Sequence, residues 1–310
     1  MYHSHHIGTA LHFTLKVVNM RLDPKAILAV WPLAAAAIFF AFSGGSFAQN
    51  AHQVDARADD AAADTADLPL LLSARLDLNN GMVEQADREV RQYLGKHPNS
   101  ADAHYMLGFV LFREIQERAK DQSKGQSNFK ADTAKASLAE YTEGAKYRTP
   151  SYLDLKIVAL DYILLEDYAD ADKWLSRSLE WNPQDAESWY DLGRIKYNEA
   201  RLSEALNAFD RCLKLDSANV KAEDNLGMTY AKLGRTSDAI SAFQTAIAWQ
   251  AGLREKNPQP FIDLGRLLID QNRPQEATSY LLQATKIAPG SDQAHELLDK
   301  ARSLAKGSQK

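Results

Sequence analysis

Eight histidines and one cysteine are the side chains through which this 310-residue chain could do metal or nucleophilic chemistry. His3, His5 and His6 are clustered enough to hold a metal, but no acidic or cysteine ligand lies near them to complete a set. Downstream, His52, His97, His104 and His295 fall in a linker, a turn and two helical stretches, and share no local motif. His104, near Asp102, reads as a packing residue rather than an acid–base pair. Glu166, Asp167, Asp170 and Asp172 are spread around helix and turn and read as solvated faces. A lone Cys212 can form no internal disulfide, and its place on an apolar helical period makes it a small core residue. There is no Gly-rich phosphate loop and no paired His/Cys spacing. The expectation is a chain that is not an enzyme, has no metal site and uses no cofactor.

The chemistry left is recognition. Charged residues make up 25% and apolar residues 45% of the chain, which is ordinary for a folded soluble protein. A formal charge of −5 argues against nucleic acid as a partner, because non-specific binding to it needs a basic footprint.

The elements that could build a recognition surface are visible at residues 186–253. Ala186–Asn219 reads AESWYDLGRIKYNEARLSEALNAFDRCLKLDSAN, and Val220–Leu253 reads VKAEDNLGMTYAKLGRTSDAISAFQTAIAWQAGL. They align without a gap at a spacing of 34: Leu192 with Leu226, Gly193 with Gly227, Ala205 with Ala239, Phe209 with Phe243. A period of this size signals stacked two-helix units. Leu192, Gly193, Ile195 and Lys196 follow one helical period, and Leu206, Phe209, Cys212 and Leu213 follow a second. Gly193 and Ala205 are small where the two helices should cross, and Gly234 falls where a first helix must end. One such hairpin cannot bury its apolar face alone, so it must stack on neighbours.

At these residues the chain resembles the tetratricopeptide repeat family, whose pattern is W-x2-L-G-x2-Y, then A-x3-F, then A, then P. Trp189, Leu192, Gly193, Ala205 and Phe209 match it in one unit; Leu226, Gly227, Tyr230, Ala239, Phe243 and Ala246 match it in the next. Lys196 stands at the family's Tyr position, and Cys212 and Ser217 depart from its Ala and Pro. The resemblance implies an all-α solenoid, a right-handed superhelix of about six helix-turn-helix repeats with a C-terminal capping helix. The repeats are expected at 67–100, 101–151, 152–185, 186–219, 220–253 and 258–291, with the cap at 292–306. The second carries an insertion near Gln116–Ala136, polar in composition and read as a tolerated surface loop; the alternative is a docking loop or an extended helix pair.

The resemblance also implies a site. In the family, the first helix of each repeat lines a concave groove at the second, fifth, ninth, twelfth and thirteenth positions. Carried over, these positions name Tyr105, Phe109, Phe112 and Arg113, then Lys156, Leu160 and Ile163, then Tyr190, Arg194, Tyr197 and Asn198. Met228, Lys232, Ile262, Arg266 and Asp270 continue the line. Aromatic and arginine side chains are the usual interface anchors. Some members clamp a peptide's C-terminal carboxylate with Lys and Asn; Lys156 could serve, but Leu160 stands where Asn would be needed.

The N-terminus reads as an export signal. From Met20, Arg21 and Lys25 precede the apolar run Ala26–Phe42, and Ser46-Phe47-Ala48 offers a small-x-small cleavage site, giving a signal peptide over 1–48. An uncleaved anchor is the alternative, although the run is short for a span and contains Pro32. Residues 49–66 are Ala/Asp-rich with little to bury, and read as a disordered linker. The function expected is a scaffold in a bacterial cell envelope, periplasmic or secreted, that binds a protein or peptide partner. It contacts the membrane only if the signal segment is retained. The alternative is a regulatory or substrate-presenting subunit of an envelope enzyme acting on glycan or peptidoglycan.

Overall fold

The computed structural model describes residues 68–119 and 126–307, and these form thirteen helices with no strand among them. The expected signal peptide, the 49–66 linker and the His3, His5, His6 cluster lie outside the described residues. Six antiparallel pairs follow in order: α1 (Leu68–Asn79) with α2 (Val83–Lys96), α3 (Ala101–Ala119) with α4 (Gln126–Gly144), and α5 (Tyr152–Leu164) with α6 (Tyr168–Trp181). Then come α7 (Ala186–Asn198) with α8 (Leu202–Leu215), α9 (Val220–Lys232) with α10 (Thr236–Trp249), and α11 (Gln259–Asp270) with α12 (Pro274–Ile287). A last helix, α13 (Asp292–Gly307), packs on α11 and α12 and buries Ala294, Leu298 and Ala301. The chain is an all-α solenoid.

Four of the six pairs are closed by one large side chain meeting a glycine on the facing helix. A Cβ on Gly193 would fall 2.5 Å from the Phe209 ring, one on Gly227 2.7 Å from Phe243, and one on Gly265 2.5 Å from a Leu281 carbon. Glycine at these three positions lets the facing side chain sit directly on the helix backbone, and any larger residue would force the crossing apart. Ala205, Phe209, Ala239 and Phe243 are all buried.

The turn inside each of the five pairs other than α3–α4 is built from one hydrogen-bond pattern. Arg201 N–H donates to Lys196 O at 2.8 Å, Arg235 to Tyr230 at 2.9 Å and Arg273 to Leu268 at 2.8 Å. This six-to-one bond closes a helix whose next residue is left-handed. Gly234 fills that left-handed position at φ 75°, but Glu166, Ala200 and Asn272 fill it elsewhere at 60°, 59° and 56°. The fold holds the same turn whether or not glycine supplies it.

The insertion is helical. α3 and α4 run for 19 residues each, against 13 and 14 in the following pair. The expected surface loop is thus two helical extensions, and only residues 120–125 between them lie outside the described residues. The Lys and Gln that make the segment polar, and the Ala interspersed with them, are also good helix formers, which polarity alone did not reveal. The Arg118 guanidinium lies 3.9 Å above the Phe129 ring and joins the two extensions.

Where α3, α4 and α5 meet, Ser137 Oγ stands 2.9 Å from Gly108 O and 2.5 Å from Asp161 Oδ2. A hydroxyl has one proton. Both contacts are satisfied together when Asp161 carries a proton and donates it to Oγ. Burial pushes the Asp161 pKa up to about 8, in keeping with that arrangement.

Candidate partner-binding groove

First helices of successive repeats touch one another: α1 with α3, α3 with α5, α7 with α9, α9 with α11. No second helix approaches another comparably. The first helices therefore occupy the inner side of the stack, and side chains on their free faces line it.

The expected groove residues divide by position. Tyr105 and Phe112 are buried rather than presented. The Tyr105 ring stacks on Tyr141 at 5.9 Å and its hydroxyl donates to Arg148 O. Phe109 is half-buried against the core of the first two repeats. Arg113 is half-buried with Nη2 3.7 Å from Glu117. The α3–α4 hairpin thus takes up Tyr105 internally, against Tyr141 of its own second helix.

Lys156 is also withdrawn. Its Nζ lies 2.9 Å from Asp185 Oδ2 and 2.7 Å from Glu187 Oε2, the cap and first turn of α7. Burial works against the charge on Asp185, but hydrogen bonds from Lys156 and Ser188 hold its carboxyl below the usual range. Asp185 also caps α7, accepting from the Glu187 and Ser188 amides. A lysine so engaged is not free to clamp a peptide carboxylate. Across the same junction Lys196 is buried, with Nζ 2.5 Å from Asp172, and Arg201 reaches the same carboxylate at 2.8 Å. Asp172, expected on a solvated face, is instead shared by two cations and sits below the ordinary aspartate range despite burial.

The remaining anchors come together on α7, α9 and α11. Tyr190 is half-buried, tilted against Phe209, with the Arg194 guanidinium 5.7 Å from its ring. Lys232 places Nζ 4.5 Å over the Tyr197 ring, a cation–π contact between repeats. Asn198 donates to Arg194 O at 3.0 Å. Met228 is half-buried between them in sequence, and Arg266 is exposed beyond.

Beneath these side chains lie residues that the family pattern does not point to. Asp191, Asp224 and Asp263 are 6%, 3% and 4% exposed, one on each of α7, α9 and α11. Arg194 Nη1 meets Asp191 at 3.1 Å, and Arg266 Nη1 meets Asp263 at 3.0 Å. Gln259 Nε2 donates to Asp263 at 2.8 Å. Burial pushes Asp191 up to about 6 although Arg194 opposes it, and Asp224 up to about 8, helped by the charge of Asp263. Burial raises Asp263 as well. The signal available in the sequence was an acidic residue interrupting the apolar period, followed three residues on by arginine in two of the three helices. The arrangement is an amphipathic trough with an acidic floor and an aromatic and basic rim. Among the described residues no group of His, Cys, Asp and Glu could hold a metal ion, and no helix is long and apolar enough to cross a membrane.

Residues 190–259 and 230–301 each match a tetratricopeptide repeat family model, so the chain carries tetratricopeptide repeats there. The peroxisomal targeting signal receptor of Komagataella phaffii is 29% identical over 193 residues, covering 58% of this chain and 33% of the receptor. The chain spans between 17% and 33% of the length of the curated relatives it matches. Among solved structures, pilF of Pseudomonas aeruginosa superposes with a TM-score of 0.58 at 19% identity, over 76% of this chain and 98% of that one. YrrB, described as a TPR protein with an unusual peptide-binding site, superposes with a TM-score of 0.50 at 21% identity, over 64% of this chain and 95% of that one. These likenesses show a shared solenoid fold.

Proposed function

We propose, on the premise that the chain carries tetratricopeptide repeats, that it is a non-enzymatic scaffold binding a segment of a partner protein along α7, α9 and α11. The single observation that carries this reading is the trough itself. Tyr190, Arg194, Tyr197, Asn198, Lys232 and Arg266 gather on first helices, half-buried or exposed, and each of these helices buries one aspartate. Aromatic rings and guanidinium groups held by neighbours lose little freedom on binding, which is what an interface anchor requires. The repeats and the solenoid support a protein–protein interaction scaffold. The likeness to a targeting-signal receptor and to a peptide-binding repeat protein agrees with a peptide-like ligand.

The place of action in this proposal is a bacterial cell envelope, motivated by Arg21, Lys25, the apolar run Ala26–Phe42 and the Ser46–Ala48 site. N-terminal sequencing of the protein from a native-like host tests it: a start at Gln49 in the soluble envelope fraction supports export, and an uncut chain in the cytosol overturns it. The groove is tested by partner capture with Arg194→Glu, Arg266→Glu and Tyr190→Ala combined. Loss of the captured partners, with an unchanged circular dichroism spectrum, is expected. Partners retained in full would place the binding surface elsewhere.

A further inference from the structure

Three successive first helices each bury one aspartate on the groove floor, and two of the three carry their own cation. Asp191 has Arg194, and Asp263 has Arg266, each three residues further along the same helix. On α9, between them, Asn225 holds the place of those two aspartates, the buried aspartate is Asp224 one residue earlier, next to the buried Glu223, and Met228 occupies the repeat position held by the two arginines. Asp224 Oδ1 makes no hydrogen bond.

Nor does the next repeat supply a cation. Lys156 holds, in the third repeat, the place that Asp224 holds in the fifth, and it reaches Asp185 and Glu187 across the junction. The corresponding residues of the sixth repeat are Asn257 and Gln259, which are neutral. Gln259 Nε2 is spent on Asp263, and the Asn257 side-chain oxygen accepts from the Gln259 amide at 3.0 Å while its backbone bonds Gln250 at 2.6 and 3.0 Å. The charged or titratable groups facing Asp224 from other helices are Tyr190 on α7 and Asp263 on α11, with Arg194 and Arg266 committed to their own aspartates. α8 and α10 pack on α9 as well, and the charge that shifts Asp224 is that of Asp263 rather than one from either of them. A buried carboxyl with one oxygen unsatisfied and a second carboxylate nearby is costly unless a cation arrives.

We propose that Asp224 is the receptor for a cationic side chain, lysine or arginine, on the partner segment. The inference rests on the groove reading above and deepens it. Met228, four residues on and therefore on the same helix face, is half-buried and is the side chain the partner displaces. Its unbranched thioether can repack at small cost. The arriving cation favours the ionised carboxylate, so binding releases the Asp224 proton to solvent. The same burial that lifts this carboxyl to about 8 makes affinity rise with pH up to that value and level off above it.

The test uses the full chain and an array of 12-residue peptides of mixed sequence, each made with Lys, Arg, norleucine or Glu at the centre. Bound peptides are expected to be held at least tenfold more tightly with Lys or Arg than with norleucine. In Asp224→Asn, whose thermal melting should be no lower than that of the parent, the preference should vanish while norleucine peptides bind as before. Affinity for the lysine peptides should rise severalfold between pH 6.5 and 8 in the parent only. Equal binding of lysine and norleucine versions, or a preference that survives in Asp224→Asn, overturns this proposal and leaves the groove reading standing. An array that captures no peptide overturns both.

Discussion

The junction between the third and fourth repeats and the junction between the fifth and sixth use the same helix positions with opposite electrostatics. At the first, Lys156 and Lys196 span the boundary and each finds carboxylates on the far side. Asp172 and Asp185 are held below the ordinary range as a result. At the second, Asp224 stands where Lys156 stood, no cation reaches it, and both Asp224 and Asp263 are pushed up. Apolar packing carries that second boundary instead: Ala239, Phe243, Leu264, Leu268 and Leu281 form one buried cluster. A repeat frame therefore fixes where side chains lie, while the charge placed at each position decides whether a junction is closed on itself or open to a partner.

The largest effect tests what the junctions share. Gly193→Leu drives a side chain into Phe209, whose ring already lies 2.5 Å from the built Cβ, and should cost about 3 kcal/mol in urea unfolding. Unchanged unfolding would remove the crossing from the account. Next, Lys156→Met strips the cation from Asp185 and Glu187 and should cost roughly 2 kcal/mol, since it leaves a partly buried carboxylate unpaired. A neutral result would mean that the ionic junction adds no stability.

The two junctions should also respond to pH with opposite sign. Asp172 and Asp185 have depressed folded pKa values, so their contribution is present above the unfolded value of about 4 and is lost as pH falls below it. Asp224 has a raised one, so its contribution is intact below about 4 and is lost as pH rises towards about 8. Asp224→Asn should therefore gain about 1 kcal/mol or more over the parent between pH 5 and pH 8, read from melting curves at each pH. Parallel curves for parent and variant would contradict the buried, unpartnered state of Asp224. The smallest effect is Ala200→Gly, which relieves a left-handed φ of 59° and should add roughly 0.5–1 kcal/mol. A loss of stability there would mean the turn draws on the alanine side chain.

Much of the frame was legible because it is periodic. Gly193 and Gly227, Ala205 and Ala239, Phe209 and Phe243 recur at one spacing, and that spacing is the helix pair. Gly234 announced its turn, whereas Ala200 and Glu166 make the same turn with no sequence signal, because the hydrogen bonds of the neighbouring turns impose it. At the insertion polarity favoured a surface loop over the alternative of an extended helix pair, which is what forms, since Ala, Lys and Gln suit an exposed helix as well as a loop. In the groove, the positions of Tyr190, Arg194, Tyr197 and Lys232 followed from the repeat register. The withdrawal of Tyr105, Phe112 and Lys156 did not, because it depends on what the adjacent repeat places opposite them. The acidic floor escaped notice for a similar reason: Asp191, Asp224 and Asp263 look like surface residues until the inner helices close over them.

The most direct test of the groove is photo-crosslinking in a native-like host, with a benzophenone amino acid at Tyr197 on the inner side or at Asn207, exposed on α8. The account predicts a discrete crosslinked partner from Tyr197 and none from Asn207. A partner captured from Asn207 and not from Tyr197 would contradict it.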